Sequence, residues 1–269
     1  MRPTRDTPLL VGEVALVTGA GRGLGRDVAA ALARCGADLV LAGRTLADLQ
    51  SAAAAIERDS GRRAFVVETD VSQPADVERL HRDARAELGP TTVMVNAAGV
   101  FGPVAPLVDN APADFIRTIM VNTVGPFLTA RAFVPDMVQH GWGRIVNISS
   151  AGSLLPPVAH NSAYSTAKAG LNRLTRQLAV ELEGTGVTAN VIHPGSLKTE
   201  MWADIRSQAA RLPDGGGELG EWVALVERTG GDSPAQAVAL VLRLIAASDQ
   251  VNGGFHWSDG AHQVPVPSW

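Results

Sequence analysis

Tyr164 and Lys168 are the residues whose types and spacing most directly suggest chemistry. They lie in the stretch SAYSTAKAG, over 162–170, and Tyr164 is the only tyrosine in the 269-residue chain. A helical pattern continues beyond Lys168, so the phenol and the ammonium should lie one turn apart on one helix face. A nearby ammonium lowers the pKa of a phenol from its ordinary value of about 10. The pair therefore suggests a tuned general acid–base, although the same spacing also occurs on helix surfaces without function.

A pair of serines could complete such a site. Ser149 and Ser150 lie at the end of the apolar segment GRIVNIS (143–149). If this segment is a strand of a parallel sheet, its carboxyl end opens into the crevice where such sheets bind ligands. A serine hydroxyl there could hold a substrate carbonyl.

A glycine-rich turn predicts what else lies in that crevice. The stretch TGAGRGLG (18–25) follows the first apolar segment and precedes a helical pattern. Glycines in a strand-to-helix turn let the backbone approach a pyrophosphate, whose charge the helix N-terminus stabilises. We therefore expect a dinucleotide there.

Two arginines favour NADPH over NADH. The second strand segment ends in Gly43-Arg44, where an NAD site commonly has an acidic residue. Arg22 of the glycine turn and Arg44 could bind a 2'-phosphate through charge-assisted hydrogen bonds. The alternative is two solvated arginines without a role.

Short apolar segments alternate with helical patterns along the whole chain, which predicts a doubly wound α/β fold with a parallel sheet and helices on both faces. No linker or repeat marks a second domain, so we expect one domain over 1–269. The predicted strands are 14–18, 38–43, 64–70, 92–97, 143–149, 187–193 and 254–258.

One segment departs from this alternation. Residues 199–232 contain two tryptophans and Gly215-Gly216-Gly217, with no strand between two helical patterns. A long insertion at the ligand edge of the sheet suggests a lid over the substrate, and an ordinary surface excursion is the alternative.

Composition limits the class of partner. Apolar residues are 46% and the formal charge is −4, which gives no reason to expect nucleic acid or a membrane surface. Cys35 is the single cysteine and no signal peptide or spanning segment is evident, so we expect a cytoplasmic protein. His160 and His193 lack partners at ligand spacing, and no metal is expected.

The combination of motifs resembles the short-chain dehydrogenase/reductase family in its single-domain form. The resemblance covers essentially the whole chain, to Asp259-Gly260. It departs from the family in reading NAAG where Asn-Asn-Ala-Gly is commoner. The motifs that carry it are TGAGRGLG (18–25), Asp70-Val71, NAAG (96–99), Asn122, Ser150, Tyr164 with Lys168, and Pro194-Gly195 with Thr199.

The resemblance implies a catalytic role for four residues. Tyr164 would protonate a ketone oxygen as NADPH delivers hydride, or run the reverse in alcohol oxidation. Lys168 would lower the pKa of the phenol and bind the nicotinamide ribose. Ser150 would orient the carbonyl, with Ser149 as a rival because the spacing to Tyr164 is one residue longer than usual, and Asn122 would hold a water of the proton relay.

The resemblance also implies the cofactor contacts and a homo-oligomer, a tetramer or a dimer. Asp70 is expected at the adenine, Asn96 on the adenosine side and Thr199 at the carboxamide. The full set of expected cofactor-binding residues is Gly19, Arg22, Gly23, Leu24, Gly25, Arg44, Asp70, Val71, Asn96, Tyr164, Lys168, Pro194, Gly195 and Thr199.

The substrate is less defined. Many relatives reduce 3-oxoacyl groups on acyl carrier protein, but the helix ends near the active-site mouth are not basic here, so a free ketone or secondary alcohol is favoured. Apolar and aromatic residues near the crevice suggest an apolar or aromatic substrate: Met201, Trp202, Trp222 and Leu155. Packing of the lid on itself is an equally good explanation of the two tryptophans. A non-enzymatic NADP(H) sensor is the alternative of another class.

Overall fold

The protein forms a three-layer α/β sandwich around one parallel sheet. The computed structural model describes residues 10–258; the expected N-terminal tail and Asp259-Gly260 lie outside them. The strands are β1 (Val14–Thr18), β2 (Asp38–Gly43), β3 (Ala64–Glu68), β4 (Val93–Asn96), β5 (Gly143–Ile148), β6 (Val187–His193) and β7 (Phe255–Trp257). The helices are α1 (Gly23–Arg34), α2 (Leu46–Ser60), α3 (Pro74–Leu88), α4 (Pro112–Ile119), α5 (Gly125–His140), α6 (Ser162–Glu181), α7 (Glu200–Ala209), α8 (Gly217–Thr229) and α9 (Pro234–Ala246).

The sheet has the order β3-β2-β1-β4-β5-β6-β7, and each pair of neighbouring strands is parallel. Side chains alternate between two apolar layers, as the pleat requires. On β1, Ala15 and Val17 pack with α1, α2 and α9, whereas Val14 and Leu16 pack with α3, α5 and α6. The predicted doubly wound fold is confirmed.

All seven predicted strands are present, and their ends differ by at most two residues. The structure ends β3 at Glu68 rather than at Asp70. Thr69 still donates its backbone N–H to Gly43, but the N–H of Asp70 turns to the carboxylate of Asp76. A backbone N–H that bonds a nearby side chain no longer pairs with the neighbouring strand, so the strand ends there. The spacing of apolar residues in the sequence does not show this.

Helices α4 and α5 are joined by a π-helical turn, Met120–Val124. Such turns are rare and often occur at functional sites. This one contains Asn122, which is fully buried, so the distortion lies at a position that the sequence singles out.

The segment 199–232 forms α7 and α8, which make a separate apolar cluster. Trp202, Ile205 and Val226 are buried there against Phe101 and Val104 of the loop after β4. Packing of the two helices on each other and on this loop explains the burial of Trp202. Whether the segment closes over a substrate stays a prediction.

Two features of residues 10–258 concern membrane spans and metal sites. None of the helices in that range is both long and apolar enough to span a membrane. Within the same range no group of three or more histidine, cysteine or acidic residues is placed to hold a metal ion.

Candidate active site

The turn between β1 and α1 has the geometry that a pyrophosphate requires. A side chain at Gly25 would meet the carbonyl oxygen of Gly19 at 2.2 Å, so only glycine allows this helix-to-turn contact. Gly23 has φ +54°, and a Cβ there would project into open space. No side chain caps the N-terminus of α1 and its first turn carries no acidic residue. The free N–H groups and the open cradle therefore fit a dinucleotide pyrophosphate.

A large cavity lies beside this turn, at the carboxyl ends of the central strands. Its volume is about 1080 Å³, enough for a dinucleotide and a small substrate together. Most of the residues predicted from the sequence line it: Gly19, Arg22, Gly23, Leu24, Gly25, Arg44, Asp70, Val71, Ser150, Tyr164, Lys168, Pro194, Gly195 and Thr199. Asn96 and Asn122 do not line it.

The two arginines both line the cavity, but Arg22 is ion-paired with an acidic residue there. Arg44 lines it next to Gly43. Arg22 instead forms an exposed ion pair with Glu200 at the start of α7. A 2'-phosphate would therefore have to replace Glu200 as the partner of Arg22. Asp48, which the sequence analysis missed, also lines this part of the cavity.

Asp70 is held as an anion on the same side. Burial raises the pKa of its carboxyl, but hydrogen bonds from Ser72 and the charges of Arg117 and Arg44 outweigh burial, and the net pKa is lowered. The Ser72 hydroxyl donates to the carboxylate at 2.6 Å and its backbone N–H donates at 3.0 Å. A fixed acceptor is thus available where an adenine amine is expected.

The catalytic candidates meet at the centre of the cavity. The Tyr164 phenol and the Ser150 hydroxyl both line it, and Ser150 is close enough to lower the pKa of the phenol. Lys168 is 4% exposed, donates from Nζ to the carbonyl oxygen of Ile148 at 2.7 Å, and has Nζ 5.7 Å from the centre of the Tyr164 ring. The spacing of four residues does place both side chains in one site.

The pKa values differ from the expectation that Lys168 lowers that of Tyr164. Burial raises the pKa of Tyr164 to about 12, opposed by the hydrogen bond with Ser150. Burial also lowers the pKa of Lys168 to about 7. An amine with that pKa is only partly charged at neutral pH, and desolvation of the phenolate is the largest effect on the pKa of Tyr164. In the protein without cofactor, Tyr164 therefore holds its proton.

The two serines differ in their surroundings. The Ser149 hydroxyl is buried and donates to the side chain of Asn172 at 2.6 Å. The Ser150 hydroxyl faces the cavity and meets the Tyr164 phenol. This arrangement favours Ser150 as the carbonyl-orienting residue.

The two asparagines have buried bonding roles. Asn96 donates to Asn147 at 2.8 Å and accepts from Thr129 at 3.0 Å. Its side chain therefore belongs to a network inside the molecule, which does not support a direct side-chain contact with the adenosine.

Asn122 uses its amide to hold the loop that follows β4. Its Nδ2 donates to the carbonyl oxygens of Val100 and Thr118, and its Oδ1 accepts from the N–H of Val100. A water could bind Asn122 only by donating a hydrogen bond, to the second lone pair of Oδ1 or to the backbone carbonyl, because both amide hydrogens are already donated.

Several lining residues were missed by the sequence analysis. The Phe101 ring stacks on Tyr164 with centroids 4.6 Å apart. Gln208 of α7 accepts from the N–H of Val104 and donates to the carbonyl of Gly102. Asn161, three residues before Tyr164, is a buried polar residue that lines the cavity. Only its closeness to Tyr164 in sequence could have pointed to it.

The fold, the glycine turn and the central Tyr–Lys–Ser cluster define a dinucleotide-binding oxidoreductase site. A family model described as short chain dehydrogenase matches residues 13–210, and the chain belongs to the short-chain dehydrogenase/reductase family. It is therefore an oxidoreductase that acts on small molecules.

Similar proteins span nearly the whole chain. An NADPH-dependent aldehyde reductase-like protein, chloroplastic, of Arabidopsis thaliana is 35% identical over 91% of this chain and 95% of its own. An actinorhodin polyketide ketoreductase solved with NADPH has a TM-score of 0.83 and 28% identity, covering 93% of this chain and 98% of that one. An NAD⁺-bound xylitol dehydrogenase has a TM-score of 0.82 and 26% identity, covering 92% and 98%. Both nicotinamide cofactors thus occur among similar proteins.

Proposed function

We propose that this protein reduces a free ketone to a secondary alcohol with NADPH, or runs the reverse reaction. The observation that carries the proposal is that Tyr164, Ser150 and Lys168 line one cavity together with the glycine turn. An acid, a carbonyl-binding hydroxyl and a dinucleotide cradle are the groups that carbonyl reduction needs.

Each central residue has a defined task. The Ser150 hydroxyl donates a hydrogen bond to the carbonyl oxygen and fixes it beside Tyr164. The Tyr164 phenol gives its proton to that oxygen as the carbon accepts hydride, so one C–H and one O–H bond replace the C=O π bond. The bound nicotinamide supplies the hydride. Lys168 lies beside the phenol to bind the ribose and to return a proton.

Support for NADPH comes from charge. Arg22 and Arg44 both line the cavity, Arg44 directly after the end of β2, and two guanidiniums match a dianionic 2'-phosphate. The relative that is NADPH-dependent by name and the ketoreductase solved with NADPH agree with this assignment. The ratio of kcat/KM for NADPH and NADH tests it, and a preference for NADH would refute it.

A Tyr164→Phe variant tests the reaction. Loss of the phenolic proton should reduce NADPH consumption with a panel of ketones by about a thousandfold or more, within the range of general acid catalysis. NADPH binding should persist, because the ring and its contact with Phe101 remain. Tight NADPH binding by the wild-type protein without turnover of any ketone would instead favour a sensor.

Alanine variants of the two serines provide a matched pair. Ser150→Ala should lose most activity, since its hydroxyl faces the cavity, whereas Ser149→Ala should act mainly on stability by breaking its bond to Asn172. An inactive Ser149→Ala beside an active Ser150→Ala would reverse the assignment.

A free substrate is favoured over one on a carrier protein. Glu181 and Glu183 lie near the end of α6 and His140 ends α5, so these helix ends offer little basic surface to an acidic carrier. A carrier-bound 3-oxoacyl group turning over far better than a free thioester analogue would overturn this preference.

The lid and the oligomer are parts of the same proposal. Residues 199–232 would close over the substrate, since α7 and α8 supply part of the cavity wall. A homo-oligomer would cover apolar side chains exposed on α5 and α6, such as Phe127, Val138 and Val180. Sedimentation velocity tests the oligomer, and a monomer at micromolar concentration would refute it.

A further inference from the structure

Asn161 occupies the N-cap of α6 but does not cap the helix. Asparagine is among the preferred N-cap residues because its side-chain oxygen usually accepts from the first turn of the helix. Here its side chain makes no such bond. The residue is nevertheless only 9% exposed, so its side chain is largely buried although it does not cap the helix.

The Asn161 side chain instead borders the cavity beside the catalytic serine. An ideal Cβ built on Gly152 would lie 3.7 Å from Ser150 Oγ and 3.9 Å from Asn161 Nδ2. The two polar atoms therefore flank one small space. Within residues 10–258, the Asn161 amide has no hydrogen-bond partner, whereas Ser196 and Gln208 of the same cavity are bonded to Trp222 and Val104. An amide without a protein partner that borders a cavity is free to hydrogen-bond a ligand there.

The charges around this end of the cavity disfavour an anionic ligand. Asp204 and Glu218 line it from the lid side, whereas Glu200 is paired with Arg22. The Lys198 ammonium also lines it, but it is paired with Glu227. A substrate carboxylate would meet repulsion without a free cation among these lid groups, so the group that Asn161 binds should be neutral.

The rest of this end is apolar. Phe101 is 8% exposed and stacks on Tyr164, and Val158, Leu219 and Trp222 belong to the same apolar cluster and line the cavity. Flat and aliphatic walls of this kind suit a hydrocarbon ring.

We infer that Asn161 is a substrate-binding residue that hydrogen-bonds a second, uncharged oxygen of the substrate. The substrate is then an otherwise apolar, ring-containing ketone with a carbonyl or hydroxyl on a carbon close to the reacting one. This inference rests on the proposed function, because the first oxygen is assigned to Ser150 and Tyr164.

The experiment compares cyclohexanone with cyclohexane-1,2-dione and cyclohexane-1,4-dione, using NADPH. NADPH consumption with cyclohexanone tests the proposed function alone. For at least one dione, the ratio of its kcat/KM to that of cyclohexanone should fall about tenfold in Asn161→Ala, the loss expected for one neutral hydrogen bond. Gly152→Ala should reduce the same ratio, since its methyl group fits without a clash but occupies the space that Ser150 and Asn161 share.

Asn110→Ala is the matched control. Asn110 donates to Ser162 at the start of α6 and does not line the cavity, so its removal should leave the dione ratios unchanged. The Tm of Asn161→Ala should stay within about 2 °C of the wild type, because no cap is lost; a lost cap would lower it by roughly 2–4 °C.

Two results would overturn the inference while leaving the proposed function intact. One is reduction of cyclohexanone with dione ratios that Asn161→Ala does not change. The other is a fall in the Tm of Asn161→Ala by several degrees with equal losses on every ketone, which is the signature of a structural residue.

Discussion

At the scale of single residues, burial sets the protonation states of the catalytic pair. Tyr164 has a pKa raised to about 12 and Lys168 has one lowered to about 7, both through burial. A neutral phenol is the form that can give a proton to a carbonyl oxygen, so the cofactor-free site already has the acid in its reducing form.

The Lys168→Met variant should change how stability depends on pH. Between about pH 7 and the ordinary lysine pKa of about 10.4, the unfolded chain binds a proton at Lys168 that the folded protein does not. This group therefore makes the free energy of unfolding rise with pH, by up to about 1.4 kcal/mol per pH unit. Lys168→Met should lack that rise.

Urea unfolding of both proteins without cofactor, from pH 6 to about pH 9.5, measures the difference. This range avoids the opposite contribution of Tyr164, whose raised pKa lowers stability only above about pH 10. If the free energy of unfolding depends on pH in the same way in both proteins, Lys168 is not desolvated.

The central residues could be predicted from local spacing, and their neighbours could not. Tyr164 and Lys168 are one helical turn apart, and Ser150 follows a strand, so pattern alone brings them together. Phe101 and Asn161 enter the cavity from loops whose paths depend on tertiary packing. The lowered pKa of Lys168 likewise depends on burial, which no spacing reveals.

At the scale of elements, one side chain of the lid forms two hydrogen bonds with the loop after β4. Gln208 of α7 accepts from Val104 at 3.1 Å and donates to Gly102 at 3.3 Å. The same loop carries Phe101, which stacks on Tyr164. The position of the catalytic ring thus depends on a helix distant in sequence.

Gln208→Leu should remove both hydrogen bonds at similar side-chain volume. We expect a loss of about 1–3 kcal/mol in the free energy of unfolding, since partly buried groups of the loop are left unpaired, and a several-fold fall in kcat. Gln208→Glu keeps the acceptor for Val104 and should be less affected in stability.

Gln177→Leu is the control, because its amide donates to Glu181 on an exposed helix face. Urea unfolding and steady-state kinetics measure both effects. Equal behaviour of the variants at 208 and 177 would show that the loop is held by apolar packing alone.

The strands were predicted nearly to the residue because parallel strands buried on both faces appear as continuous apolar runs. The π-helical turn at Met120–Val124 was not predicted. Its extra residue in the turn depends on the hydrogen bonds of Asn122 to Val100 and Thr118, which join segments that sequence periodicity treats separately.

At the scale of the whole molecule, one ion pair joins the glycine turn to the lid. Arg22 precedes α1 and Glu200 begins α7. If Arg22 binds the 2'-phosphate, cofactor binding must first separate this pair. Cofactor affinity and lid position are then coupled through one contact.

Glu200→Gln should bind NADPH more tightly. The variant no longer competes for Arg22, and since an exposed pair contributes about 0.2–1 kcal/mol, the Kd should fall by at most about fivefold. The Kd for NADH should change less, because NADH has no 2'-phosphate. Titration calorimetry of both cofactors measures this.

Glu227→Gln serves as the control. Glu227 of the lid segment pairs with Lys198 and Arg206, and it is not paired with Arg22. Weaker or unchanged NADPH binding by Glu200→Gln would contradict a role for Arg22 at the phosphate.

The strand order also has a consequence for how the chain assembles. Every strand from β2 onward pairs with a strand that precedes it in the chain, and β1 lies between β2 and β4. The sheet can therefore form in the order of synthesis, because each new strand pairs with one that has already been made. Only β4 must pass over two earlier strands to reach β1, and these two strands are the paired neighbours that lie farthest apart in sequence. The dinucleotide crevice lies at this same β1–β4 junction, so the ligand site requires the pairing of strands that are distant in sequence.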